Sequence, residues 1–325
     1  MTIASLFEKP AAFNGVWPAL LTPLNEDLGI NHALFAQHCK NLLAKGCAGV
    51  TAFGTTGEGP SFSMAERKEA IEQLIKNGVP AAQIIVSTSC AALPETLELT
   101  RHAVQAHVHG CLMLPPFFLK GVSDEGIIDS YRFVIDGVSQ SEGANKLKLY
   151  LYHIPQVTGV GLSHPVIAAL QQMYPQTILG IKDSACTTAH SIGLVDAFMQ
   201  GKAPKLAVYV GFEPDLPEMA RRGSTGAISG LANFMPRVVQ RLVTQPDAPT
   251  TPAERARVVH LIELLGDYSL MPALKAIMAI LSSEANEGSS DGWLRVRAPL
   301  VALKPDAFKE LEKTIRAFGI DMQSD

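Results

Sequence analysis

Charge is scarce in this sequence. Only 18% of its 325 residues are charged, the formal net charge is −4, and no block of Lys or Arg occurs anywhere. Binding to nucleic acid leaves a basic stripe, so no nucleic-acid partner is expected. No run of about 18 uninterrupted apolar residues exists, so no membrane span is expected either. The opening MTIASLFEKPAAF has no basic segment leading into an apolar one, and no secretory signal is expected. Cysteine is sparse and odd in number: Cys39, Cys47, Cys90, Cys111 and Cys186 are scattered, with no CxxC pair. That excludes a disulfide scaffold and suits reduced thiols, so the expected compartment is cytoplasmic. Apolar residues, by contrast, are plentiful. At 47% they support a large buried core and rule out a disordered or fibrous chain.

The apolar residues fall into a repeating pattern of a short β-rich run followed by a longer helical stretch. Eight such runs occupy 15–23, 49–54, 83–90, 110–116, 148–155, 178–183, 207–212 and 226–234. Several are almost continuously Val, Ile and Leu, as in strands of a parallel sheet buried on both faces. Between them, Asn31 is placed to cap the helix holding Leu34, Phe35, His38 and Leu42, and Ser63 with Glu66 forms a capping box. Thr251 and Glu254 repeat that signal, with Pro252 at the first helical position. Eight strand–helix units favour a closed α/β barrel over an open doubly wound sheet. The expected fold is a (β/α)8 TIM barrel over 1–240, followed by a C-terminal helical bundle over 241–325 packed on it. Its helical patterns lie around 252–266, 269–282 and 305–318, with a short turn at 287–290.

Active residues of such barrels sit at the C-terminal ends of the strands. Lys182 ends the apolar run Ile178-Leu179-Gly180-Ile181. Desolvation disfavours an ammonium ion, and a neutral lysine amine can attack a ketone to form an imine. The alternative is a solvated lysine paired with Asp183. The turn Gly54-Thr55-Thr56-Gly57-Glu58-Gly59 offers backbone N–H groups and two hydroxyls, as a small carboxylate requires, or is simply a tight βα turn. It matches neither nucleotide-binding glycine fingerprint. Tyr152 could relay a proton near an imine or could be an ordinary core aromatic. His107, His109 and Cys111 are metal-ligand types, but at a helix end running into a strand their side chains should diverge. No metal and no other cofactor is expected.

Taken together, these residues resemble the dihydrodipicolinate synthase / N-acetylneuraminate lyase family of class I aldolases. Gly54-Thr55-Thr56-Gly57-Glu58 is similar to that family's G-T-T-G-E loop, Tyr152-His153-Ile154-Pro155 to its Y-N-x-P motif, Gly180-Ile181-Lys182-Asp183 to its G-x-K-[DE] motif, and Gly226-Ala227-Ile228-Ser229 to its G-x-I-S turn. The resemblance covers about 13–235. It implies a catalytic set of Lys182 as Schiff-base lysine, Tyr152 as proton-relaying phenol and Thr55 beside them. Thr55 and Thr56 would hold the carboxylate of a 2-oxo acid such as pyruvate, with Gly54, Gly57 and the backbone at Ile228 lining the same pocket. A homotetramer or homodimer is implied as well.

The departures bear on the second substrate. Pro115-Pro116-Phe117-Phe118 has phenylalanine where the synthase branch has a proton-relaying tyrosine that enters a neighbouring subunit's site, and Val157 stands where that branch has an arginine. Without a guanidinium, a substrate carboxylate loses its bidentate partner, which argues against 4-hydroxy-tetrahydrodipicolinate synthesis. His153 replaces the motif's asparagine. Glu213 either accepts hydrogen bonds from substrate hydroxyls, as an acidic residue there does in sugar-acid lyases of the family, or belongs to a helix first turn at Pro214. Phe118 and Glu213 complete the expected substrate-binding set. The leading expectation is a carbon–carbon lyase that releases pyruvate from a longer 2-oxo acid, or the reverse. A dehydratase or deaminase using the same imine, and a binding barrel without turnover, are the rivals.

Overall fold

The computed structural model describes residues 14–140, 147–201, 205–284 and 290–325. Eight strands form the sheet: β1 (Gly15–Pro18), β2 (Val50–Ala52), β3 (Ile84–Ser87), β4 (Gly110–Met113), β5 (Leu149–His153), β6 (Ile178–Asp183), β7 (Ala207–Val210) and β8 (Gly226–Ser229). All are parallel and follow chain order around the ring; β1 pairs with β8, and a bridge between Ala19 and Thr51 closes the barrel from β1 to β2. Every strand residue except Gly15 is buried, as expected of strands covered on both faces.

Helices α1 (His32–Ala44), α2 (Met64–Lys76), α3 (Leu93–Gln105), α4 (Asp124–Ser139), the single turn α5 (Pro155–Thr158), α6 (His164–Met173), α7 (Thr188–Val195), α8 (Leu216–Arg221) and α9 (Pro236–Thr244) surround the sheet. Asn31 and the Ser63–Glu66 box cap α1 and α2 as their sequences require. The C-terminal helices are α10 (Thr251–Leu265), α11 (Leu270–Glu284) and α12 (Pro305–Phe318). Here the expected cap is corrected. The helix begins at Thr251, not after it, and Thr250 in the cap position makes no side-chain bond. The Thr251 hydroxyl donates instead to the Gln245 carbonyl (2.6 Å), and Glu254 pairs with Arg241. Of the turn expected at 287–290, residues 287–289 lie outside the described residues. Among the described residues, no single helix is long and apolar enough to cross a membrane.

Two apolar layers result, one between sheet and helices and one inside the barrel. The inner one is large-ringed at its base. Trp17 lies tilted against His109, with ring centroids 4.9 Å apart; His109 Nε2 lies 2.8 Å from the Tyr150 hydroxyl, while His107 is exposed. Glycine makes room for those rings. A Cβ at position 49 would fall 2.1 Å from the Trp17 ring, and one at 180 would fall 2.7 Å from the Tyr150 ring. With the base plugged by aromatics, the open space lies at the opposite mouth.

The expected runs overshoot several strands at that mouth. Past Ala52, Phe53 is buried but its left-handed backbone leaves the strand; past Leu20, whose N–H still donates to the Thr51 carbonyl, the chain leaves the sheet, and the buried Leu21 N–H donates instead to the Asn233 side-chain oxygen (3.1 Å). Apolar content reports burial, not extension.

Candidate active site

Strand alternation sends Lys182 and Asp183 in opposite directions. Lys182 enters the barrel, 4% exposed, and its Nζ lies 3.2 Å from the Tyr152 hydroxyl and 4.3 Å from that ring's centroid. Tyr152 sits beside it because β5 and β6 pair in a register that matches the two residues. Asp183 faces outward, where it accepts from the Ser191 hydroxyl (2.6 Å) on α7 and from Ala185 N–H (3.1 Å). Burial pushes its carboxyl up, but His190 and Ser191 together hold it below the ordinary value. The alternative of a solvated Lys182–Asp183 pair is thereby excluded.

The loop after β2 is tightly shaped. Phe53 and Glu58, on either side of the four residues Gly54-Thr55-Thr56-Gly57, both adopt left-handed backbone angles (φ 58° and 57°), which non-glycine residues hold only when their surroundings impose it. Glu58 and Gly59 N–H groups close back on the carbonyls of Thr55 and Gly54 at 3.1 Å each, and the Thr22 hydroxyl donates to the Gly57 carbonyl (2.8 Å). This geometry presents Thr55, whose hydroxyl lies 3.3 Å from that of Tyr152. A chain of three groups results: Thr55, Tyr152, Lys182.

Six expected residues share one cavity of about 580 Å³ at the barrel mouth: Thr55, Thr56, Tyr152, Lys182, Glu213 and Ile228. Three do not. Gly54 and Gly57 shape the loop without lining the cavity, Gly57 because it packs under it, where a Cβ would meet the Leu20 carbonyl at 2.6 Å. Phe118 is 76% exposed and borders a different depression. The Lys120 ammonium binds the carbonyls of Phe117 and Thr158, pinning the loop after β4 against α5 and leaving Phe118 outside. Glu213 is buried in a short 3-10 turn, Glu213–Asp215, and one of its oxygens accepts from the Ser229 hydroxyl (2.6 Å) and Leu231 N–H (3.3 Å). Much of what an acceptor hydroxyl could use there is already engaged.

His153 has an internal partner: its Nδ1 accepts from Leu162 N–H (2.9 Å), and burial, then the charge of His190, depress it to a pKa of about 4. His153, Asp183 and His190 bring ligand-type atoms within 4.8 Å of one another. The two imidazoles are stacked, however, with planes 6° apart and centroids 4.3 Å apart. In-plane lone pairs of stacked parallel rings run side by side and do not converge on one ion, so this cluster does not suit a metal.

Two features of the site are absent from the strand-end motifs. The outer wall of the cavity comes from α10 and α11, including Ile262, Leu265 and Met271. And Glu58 pairs with Lys275 of α11 at 2.7 Å, both side chains fully buried, while Arg297 N–H approaches the other Glu58 oxygen at 3.4 Å. A signal for this existed in the sequence: Lys275 is the one charged residue inside Leu-Met-Pro-Ala-Leu-Lys-Ala-Ile-Met-Ala-Ile-Leu, and a lysine in such a run needs a buried partner.

Known proteins resemble this chain over most of its length. A family model described as the dihydrodipicolinate synthetase family matches residues 12–318. An uncharacterized DapA-like lyase of Chloroflexus aurantiacus is 31% identical over 266 residues, 81% of this chain and 85% of that protein. An N-acetylneuraminate lyase of Rattus norvegicus is 26% identical over 275 residues, covering 82% of this chain and 83% of that protein. The crystal structure of dihydrodipicolinate synthase from Agrobacterium tumefaciens superposes with a TM-score of 0.82 at 30% identity, over 94% of this chain and 99% of that one.

Proposed function

Because the chain belongs to the dihydrodipicolinate synthetase family, a family of class I aldolase-type lyases, we propose that it cleaves or forms a carbon–carbon bond of a 2-oxo acid through an imine on Lys182, with pyruvate as the common fragment. The observation that carries this is the buried Lys182 amine 3.2 Å from the Tyr152 hydroxyl, itself 3.3 Å from Thr55.

In this mechanism Nζ of Lys182 attacks C2 of the 2-oxo acid, and the carbinolamine loses water to give the imine. Tyr152 delivers the proton that the departing hydroxyl needs, and the Thr55 hydroxyl orients the phenol. Hydroxyls and backbone of Thr55 and Thr56 receive the carboxylate. The protonated imine then accepts the electron pair of the bond broken beta to it. Association as a homotetramer or homodimer belongs to the same proposal, supported by Phe118 and Leu119, which stand 76% and 67% exposed.

The test is incubation with pyruvate and sodium borohydride, followed by digestion and mass spectrometry. A reduced pyruvyl adduct on Lys182 is expected. No adduct, with Lys182→Ala indistinguishable from the parent, overturns the proposal.

A further inference from the structure

The cavity at the barrel mouth has a mixed lining. Among the described residues that line it, two side chains are charged, Lys182 and Glu213. Glu213 is already held by Ser229 and Leu231 N–H, and Lys182 is the nucleophile. The apolar part of the lining includes Val157, Ile262, Leu265, Leu270, Met271 and Leu274. A volume of about 580 Å³ far exceeds what a three-carbon acid fills and is in the range that holds a drug-sized ligand. Val157 and Leu270 are 59% and 52% exposed, so the wall presents apolar surface to whatever enters.

We infer that the second fragment handled at Lys182 is a neutral, apolar aldehyde, aromatic or long-chain aliphatic, seated against α10 and α11. This rests on the imine chemistry proposed above and specifies its acceptor. A carboxylate on the acceptor would meet no cation other than Lys182 among the described lining residues, and burying an unpaired charge is strongly unfavourable. A polyol would fare little better. The Gln156 side-chain amide already donates to the Ser184 carbonyl and one Glu213 oxygen is engaged, which leaves the other Glu213 oxygen and the hydroxyls of Tyr268, Ser184 and Thr56 to serve all the hydroxyls of a polyol. An apolar chain or ring loses no hydrogen bonds on entry and covers the wall.

In the condensing direction, C3 of the pyruvyl enamine on Lys182 attacks the aldehyde carbon. The enamine π pair becomes the new carbon–carbon bond, the carbonyl π pair moves to oxygen, and that oxygen takes a proton from Tyr152. Water then adds at C2, releasing the Lys182 amine and a 4-hydroxy-2-oxo acid. Cleavage is the same sequence reversed, and neither direction needs an oxidant or reductant.

The experiment pairs borohydride trapping of pyruvate on the full chain with a panel of benzaldehyde, hexanal, aspartate β-semialdehyde and glyceraldehyde, each assayed for the hydroxy-oxo acid by mass spectrometry. The apolar aldehydes are expected to exceed the polar ones in kcat/KM by at least about 10-fold, a usual discrimination for an apolar pocket. Met271→Lys is expected to shrink that ratio by about the same factor; a ratio is insensitive to partial loss of fold, which lowers both arms alike. An adduct on Lys182 with the polar aldehydes turned over as well or better, or with none of the four turned over, overturns the apolar acceptor and leaves the imine chemistry standing. Absence of any adduct brings down that chemistry and the acceptor with it.

Discussion

The phenol of Tyr152 touches both Lys182 and Thr55, so its hydroxyl should matter far more to turnover than to folding. Tyr152→Phe keeps the ring over the Lys182 amine and removes only the relay. We expect kcat to fall by roughly 10²- to 10⁴-fold, with the borohydride adduct still formed slowly and the urea midpoint little changed. A parent-like kcat would remove Tyr152 from the chemistry. Lys182 and Tyr152 were legible in the sequence because they lie near the C-terminal ends of apolar runs, and the two threonines because they lie in the turn that follows one; strand ends and the loops after them converge in a barrel. Phe118 was not. Its position in the chain resembles a pocket residue, but the bonds from Lys120 to backbone carbonyls decide where it points, and no local pattern encodes them. Glu213 was half legible: both the helical turn and the pocket position are present, while its bond to Ser229 joins residues 16 apart.

At the scale of elements, the eight strand–helix units could be counted from apolar runs, whereas strand ends and the cap of α10 could not. Thr251-Pro252-Ala253-Glu254 has the residue types of a capping box, yet the nearby Gln245 carbonyl and Arg241 side chain take its polar groups first. The tie between α11 and the loop after β2 is the energetically demanding contact. Burial lowers the pKa of Lys275, and the Glu58 carboxylate opposes that. Lys275→Met deprives the fully buried Glu58 carboxylate of its ammonium partner, so a loss of about 3–5 kcal/mol in unfolding free energy is expected by urea denaturation. Pairing it with Glu58→Leu removes the orphaned charge and should recover much of that loss. No recovery would mean that the pair is not coupled. Gly49→Ala tests the barrel base independently. A Cβ 2.1 Å from the Trp17 ring cannot be accommodated without moving the ring or the strand, and about 1–3 kcal/mol should be lost.

For the molecule as a whole, three buried imidazoles set a pH response. His38, His109 and His153 are each depressed from 6.5 to about 4, in every case chiefly by burial. Between those values the unfolded chain binds protons that the native state refuses. Stability is therefore full above about pH 6.5 and falls as pH drops toward about 4, by at most roughly 3 kcal/mol for each histidine. Urea midpoints at pH 7.5, 6 and 5 should decrease in that order; a flat series would contradict it. Assembly is checked separately. Phe118→Asp should weaken any dimer or tetramer seen by sedimentation and leave the adduct on Lys182 intact. The bond from Glu58 to Lys275 also has a consequence in time. Its partners are separated by 217 residues, so on a ribosome adding ~5–20 residues per second the threonine loop waits ~10–40 s for its counterion. Throughout that interval the nascent barrel carries an unpaired carboxylate under its mouth, and the loop can settle into its final shape only after the polypeptide has delivered α11.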